Sequence, residues 1–146
     1  MIQDKVKQAT YQKEWNSVRE FQNRIQANLN ASGMMFGTGA THVIRDISHN
    51  LVLLFAFSVF EDVLKQLKEE KYFTSDNNQL GNLMHKSQNY LPWQNFTFVD
   101  EARERRNEIA HDQTIFPRGD CWKYIDAIEN ELVQWGVIKC QATFRH

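Results

Sequence analysis

Apolar residues in the first part of the chain recur at every third or fourth position, which is the spacing of an amphipathic helix. The stripe consists of Tyr11, Trp15, Val18, Phe21, Ile25 and Leu29. It predicts a first helix from about Gln3 to Asn30 that ends at the sequence Ala31-Ser32-Gly33. Only two prolines and six glycines interrupt the 146 residues, so long helices are favoured.

The most apolar stretch of the chain runs from Leu51 to Phe60 (LVLLFAFSVF). We expect it to lie on a second long helix, for which Thr41 is a suitable N-terminal cap. Because the stretch is apolar on nearly every side, this helix should be the central element, with Leu54 and Phe55 deeply buried. It is too short to span a bilayer, which requires about 20 residues, and the polar N-terminus lacks a signal peptide. We therefore expect no membrane contact and a cytoplasmic location.

The remainder of the chain predicts shorter helices, separated by turn-forming and proline-containing segments. A third helix should end before Pro92, because the residue that precedes a proline is pushed out of the helical region. A last helix should begin at a cap on Asp120 and stop at Gly136. Its inward positions are Trp122, Ile125, Ile128, Leu132 and Trp135. The sequence thus predicts an all-α single domain over residues 1–146, a bundle of four to five helices with 137–146 as a C-terminal tail.

Composition and charge describe a folded protein but do not reveal its partners. Hydrophobic residues make up 42% of the chain, and the formal net charge is −1. This balance excludes a strongly basic nucleic-acid binder, so any contact with nucleic acid must come from a local patch. The two cysteines, Cys121 and Cys140, form no CxxC motif, which favours free thiols in a reducing compartment.

The spacing of candidate ligands indicates no metal or cofactor site. His42 and His49 lie seven residues apart, but no carboxylate or cysteine is spaced to complete a metal site with them. We interpret both as surface or helix-packing residues. The glycine-rich segment Gly33–Gly39 lacks the lysine of a P-loop and is interpreted as the connection between the first two helices. We therefore expect neither a metal nor a cofactor.

The pattern R-N-x-x-x-H, at Arg106, Asn107 and His111, carries the candidate chemistry. Arginine can grip a phosphate with two parallel hydrogen bonds, and histidine moves protons near neutral pH. These groups suffice to cleave a phosphodiester without a metal. On a helix from Phe98 to His111, which would start at Thr97 or Asp100, Arg106 projects near the middle of the apolar face. Its side chain therefore lines a cleft or forms an ion pair in the interior. Alternatively, Arg106 lies on an ordinary amphipathic helix and extends its charged end to solvent.

The position of His111 poses a geometric problem. Five residues beyond Arg106, it lies about 140° round an unbroken helix, whereas Asn107 shares its face. Arg106 and His111 can meet one phosphate only if the helix ends near Asp112 or if a second protomer supplies the missing half. Alternatively, His111 is a helix-terminal histidine that interacts favourably with the helix dipole.

The helical pattern, the long apolar second helix and the R-N-x-x-x-H motif together resemble the HEPN superfamily (higher eukaryotes and prokaryotes nucleotide-binding domains). The resemblance covers most of the chain in architecture but only this motif in residues. It implies a metal-independent endoribonuclease, frequently the toxin of a toxin–antitoxin or phage-defence module. It also implies a homodimer in which both motifs line one cleft, with RNA as the substrate and a cognate antitoxin as a partner.

Carried onto this chain, the resemblance assigns catalytic roles to three residues. His111 would be the general acid or base, Arg106 would stabilise charge on the phosphate, and Asn107 would position the phosphate or the imidazole. Arg105 also satisfies the loose spacing of the family, but the helical wheel turns it towards solvent. At the place where related toxins often carry a tyrosine that receives AMP, this chain has Gln113.

A second interpretation keeps the motif but not the reaction. The chain would then be a helical module of HEPN type that binds RNA or nucleotides, or acts as an adaptor, without turnover. The near-neutral net charge favours this alternative, because ribonucleases that act on long RNA usually present more positive surface.

Overall fold

Five α-helices account for most of the computed structural model, which describes residues 1–35, 39–112 and 114–140, with side chains for 1–27, 48–112 and 114–140. The helices are α1 (Lys5–Met35), α2 (Gly39–Glu69), α3 (Leu80–Ser87), α4 (Phe96–Asp112) and α5 (Arg118–Gln134). Within these ranges there is no strand, so the predicted all-α bundle of four to five helices is confirmed. In this part of the chain, no helix is sufficiently long and apolar to cross a membrane.

The central position predicted for α2 is confirmed, because α2 packs against each of the other four helices. Its buried apolar positions among the described side chains are Val52, Leu53, Ala56, Phe57, Val59, Phe60, Val63, Leu64 and Leu67. The prediction that Leu54 and Phe55 are deeply buried is wrong, since both are only partly covered, and Leu51 is 53% exposed. One side of this helix faces solvent although its residues are apolar. The sequence could not indicate which side, because a run that is apolar all round has no periodicity that distinguishes a buried face from an exposed one.

Several helix boundaries differ from those expected. Helix α1 continues through the predicted stop at Ala31-Ser32-Gly33 to Met35, and α2 begins at Gly39, so Thr41 lies inside it. Helix α5 begins at Arg118, which places Asp120 in its first turn instead of at its cap. Cap preferences are weak compared with tertiary packing, and helix ends shift readily by one or two residues.

The C-terminal stop of α5 is confirmed. Gly136 has a φ of +68°, and the amide of Val137 donates a hydrogen bond to the carbonyl oxygen of Leu132 at 3.0 Å. This left-handed conformation favours glycine, which closes a helix without a steric penalty.

The apolar stripe of α1 contains a buried charge that the spacing did not indicate. Tyr11, Trp15, Val18 and Ile25 are buried as predicted, whereas Phe21 is 39% exposed and Leu29 lies outside the described side chains. Arg19 and Gln22 are buried instead. The guanidinium of Arg19 donates to Gln22 at 2.8 Å and forms ion pairs with Asp126 and the buried Glu129 of α5. A polar network therefore joins α1 to α5.

Candidate phosphate-binding site on α4

Helix α4 carries the motif, and its N-terminal end is held by α5. It starts at Phe96, earlier than the predicted Thr97 or Asp100, and the side chain of Asn95 accepts a hydrogen bond from the amide of Phe98 at 3.3 Å. The buried carboxylate of Glu131 accepts the amides of Gln94 and Asn95 at 2.6 and 2.7 Å. Burial raises the pKa of Glu131, and these two hydrogen bonds oppose that shift.

The prediction that Arg106 lies on the apolar face of this helix agrees with its surroundings. Arg106 falls between the buried Ala102 and Ile109, three or four residues from each, and its side chain is partly buried. Its Nη1 donates a hydrogen bond to Oδ1 of the neighbouring Asn107 at 3.1 Å. No carboxylate among the described residues forms an ion pair with it. Among the described side chains, Arg106 is therefore a partly desolvated cation whose hydrogen-bond partner is neutral.

The two other arginines of α4, Arg103 and Arg105, are each paired with a carboxylate. Nε of Arg103 lies 2.9 Å from Oδ1 of Asp100. Nη1 of Arg105 lies 3.4 Å from Oε1 of Glu108, and its guanidinium sits over the ring of Phe116 at 5.4 Å from the centroid. A hydrogen bond with Tyr124 and the charge of Glu108 raise the pKa of Arg105. Arg105 thus contacts α5 and the connection before it, while its side chain stays 39% exposed and still reaches solvent, as its place on the helical wheel predicted.

His111 is exposed in the last turn of α4, and no hydrogen bond or ion pair joins it to the described part of the chain. Helix α4 ends at Asp112, as the first of the two alternatives required, but His111 itself still lies within the last turn. Within one chain, Arg106 and His111 therefore point about 140° apart around the helix axis. Asn107, on the same face as His111, is partly buried beside Arg106. The structure brings Arg106 and Asn107 together but leaves His111 apart, and Gln113 lies outside the described residues.

The surface near the C-terminal end of α4 is partly apolar. Asn50 of α2 bonds to Thr114, and the residues that follow these two, Leu51 and Ile115, are 53% and 51% exposed. Ala110, in the last turns of α4, is also exposed. Single exposed apolar side chains are common on folded proteins, and only a contiguous patch of them is typical of an interaction surface.

Sequence reasoning missed three residues that position this helix. Glu131 holds the N-terminal end of α4, and His49 and Asn50 of α2 bond to the connection that follows it. His49 is buried, which agrees with a helix-packing role. No signal in the sequence reveals these contacts, because each joins segments that are far apart in the chain. Among the described residues, no group of three potential ligands could hold a metal ion.

No family model matches the chain, and comparisons with curated proteins and with solved structures find no match either.

Proposed function

We propose that this protein is a metal-independent endoribonuclease of HEPN type that acts in the cytoplasm. The observation that carries the proposal is the state of Arg106, a partly buried guanidinium whose neighbours Arg103 and Arg105 are paired with carboxylates, while no carboxylate among the described side chains pairs with Arg106. A cation in such surroundings favours an anionic ligand, and its planar fork matches a phosphate. An exposed histidine in the last turn of the same helix supplies the group that moves a proton.

The reaction that fits these groups is internal transfer at an RNA phosphate. The 2′-hydroxyl attacks the adjacent phosphorus, the new O2′–P bond forms, and the P–O5′ bond breaks. His111 takes the proton from the 2′-hydroxyl while water protonates the leaving 5′-oxygen, or His111 protonates the 5′-oxygen while water accepts the 2′-proton. Arg106 stabilises the charge that builds on the phosphate oxygens, and Asn107, which bonds to Arg106, orients the guanidinium. The products carry a 2′,3′-cyclic phosphate and a 5′-hydroxyl.

A homodimer would bring the two halves of the motif together. Arg106 and His111 differ by five residues on a continuous helix, which separates them by about 140° and about 7.5 Å along the axis. Arg106 of one chain and His111 of a second can face one phosphate if the C-terminal ends of two α4 helices meet. The exposed Leu51 and Ile115 near that end provide apolar surface for such a contact.

Cleavage of a labelled single-stranded RNA in EDTA tests the proposal. Wild type should cleave and leave 2′,3′-cyclic phosphate ends, whereas Arg106→Ala and His111→Ala should be inactive with unchanged thermal stability. Arg24→Ala and His85→Ala are matched controls, since both residues are exposed and lie on α1 and α3. Strict dependence on Mg²⁺, 3′-hydroxyl products, or full activity of both motif variants would contradict the proposal.

The formal net charge of −1 favours a second candidate, a HEPN-like module that binds RNA or nucleotides without cleaving them. Both candidates predict that Arg106→Ala weakens RNA binding. Only the nuclease predicts that His111→Ala retains binding while it abolishes product formation. Binding by wild type without any product, across a mixed RNA pool, would select the second candidate.

We further propose that the nuclease acts as the toxin of a toxin–antitoxin or phage-defence module. Expression of wild type should then arrest bacterial growth, while expression of His111→Ala should not. A neighbouring open reading frame that relieves the arrest would identify the antitoxin. Normal growth at high levels of active wild-type enzyme would contradict this biological role.

A further inference from the structure

The connection between α4 and α5 is held to α2 by two neighbouring side chains. Nδ2 of Asn50 donates a hydrogen bond to the carbonyl oxygen of Thr114 at 3.0 Å, and Nε2 of His49 lies 2.5 Å from the carbonyl oxygen of Phe116. Both side chains are buried. Because hydrogen bonds in a dry environment are costly to leave unmade, the pair fixes this connection against α2.

The bond to Phe116 accounts for a histidine at position 49. A carbonyl oxygen can only accept, so Nε2 of His49 carries the proton. The other ring nitrogen, Nδ1, is buried and has no hydrogen-bond partner among the described residues. The ring of His49 packs edge-on against Trp122, a contact that an apolar ring could make equally well. The donor at Nε2 is therefore the property that an apolar residue could not replace.

Thr114 links this anchor to the last turn of α4. Its carbonyl oxygen accepts from Asn50, while its amide points back to the carbonyl oxygen of Glu108 at 3.5 Å. His111 lies between Glu108 and Thr114 and belongs to the same last turn. The contacts made by α2 thus reach the backbone of the last turn of α4 through Thr114.

We propose that His49 and Asn50 are positioning residues for His111. They act through Thr114 and Phe116 to hold the last turn of α4, so that the imidazole meets the phosphate at a fixed place. A displacement of a reacting group by about 1 Å can cost about 100-fold in rate, so loss of this anchor should lower kcat. The inference rests on the proposed nuclease function, but its structural part can be measured without RNA.

Three variants and two measurements test the proposal. His49→Leu removes the donor, His49→Gln keeps an N–H at a similar reach, and Val18→Ala weakens the buried core of α1, which makes neither of the two hydrogen bonds. Native-state hydrogen exchange reports the opening of the segment 108–117, and steady-state kinetics on RNA separates kcat from KM. If His49→Leu does not fold, Asn50→Ala removes the other hydrogen bond with a smaller change.

His49→Leu should speed exchange in this segment about tenfold beyond any change in Val18→Ala, and should lower kcat by about 10- to 100-fold at similar KM. His49→Gln should restore both. The proposal is overturned if exchange in the segment equals that of Val18→Ala, if only KM changes, or if His49→Gln behaves as His49→Leu. A wild type that shows no cleavage would defeat the nuclease proposal, while the exchange data would still decide whether the two side chains hold the last turn.

Discussion

Three leucines of α2 differ mainly in where the helix places them, and they test its burial pattern. Leu53 is fully buried (0% exposed), Leu54 is partly buried and Leu51 is 53% exposed. Each change to alanine removes the same atoms from the same helix and alters helix propensity equally. Differences in the free energy of unfolding among the three variants therefore report burial and packing.

Leu53→Ala should lower the free energy of unfolding by about 3–4 kcal/mol, because the side chain loses its burial and leaves a cavity that neighbours only partly fill. Leu54→Ala should cost about 1 kcal/mol, since only part of its apolar surface is removed from water. Leu51→Ala should change stability by about 0.5 kcal/mol or less, as surface substitutions usually do.

Urea unfolding followed by circular dichroism measures all three variants. With a slope of about 2 kcal/mol per molar urea, Leu53→Ala should move the midpoint by about 1.5–2 M. Measurement at two protein concentrations separates association through Leu51 from the stability of the chain itself. The burial pattern is refuted if Leu54→Ala costs as much as Leu53→Ala, or if Leu51→Ala costs more than either.

Three further predictions concern buried charge and backbone conformation. Glu129→Leu should cost about 3 kcal/mol in urea unfolding, because it removes the buried carboxylate that pairs with Arg19 and leaves only the half-exposed Asp126 as its α5 partner; a stabilised variant would contradict this. The pKa of Glu131 is raised above its ordinary 4.5. The stability that this carboxyl contributes is therefore fully present below pH 4.5 and is lost as the pH rises through the raised pKa. Glu131→Gln should remove this pH dependence, and an unchanged profile of midpoint against pH would argue against it. Gly136→Ala should lower stability by about 1 kcal/mol, because the φ of +68° strains any side chain; an unchanged melting temperature would show that the turn tolerates alanine.

The sequence predicted features that leave a periodic or chemical signal. The all-α class, the central place of α2 and the position of Arg106 on an apolar face follow from spacing alone. The orientation of α2 could not be predicted, because an apolar residue occupies almost every position from Leu51 to Phe60. The exposure of Leu51 depends on which sides of α2 the neighbouring helices cover.

Long-range polar contacts are the second kind of feature that the sequence concealed. Glu131, His49 and Asn50 each bond to backbone groups that are distant in the chain. Their residue types are common on solvent-facing helix surfaces, and only packing makes them buried and specific. The pairing of Arg103 and Arg105, which distinguishes Arg106 from both, likewise depends on side-chain geometry.

Complementation between two inactive variants tests the central claim most directly, because it asks whether Arg106 and His111 of different chains form one site. Arg106→Ala and His111→Ala are co-expressed with different affinity tags, and the heterodimer is purified through both. One composite site of the heterodimer would contain Arg106 from the His111→Ala chain and His111 from the Arg106→Ala chain. The heterodimer should therefore cleave RNA in EDTA at about half the wild-type rate, while each parent homodimer is inactive. A heterodimer as inactive as its parents, or a chain that is monomeric and active, would contradict the account.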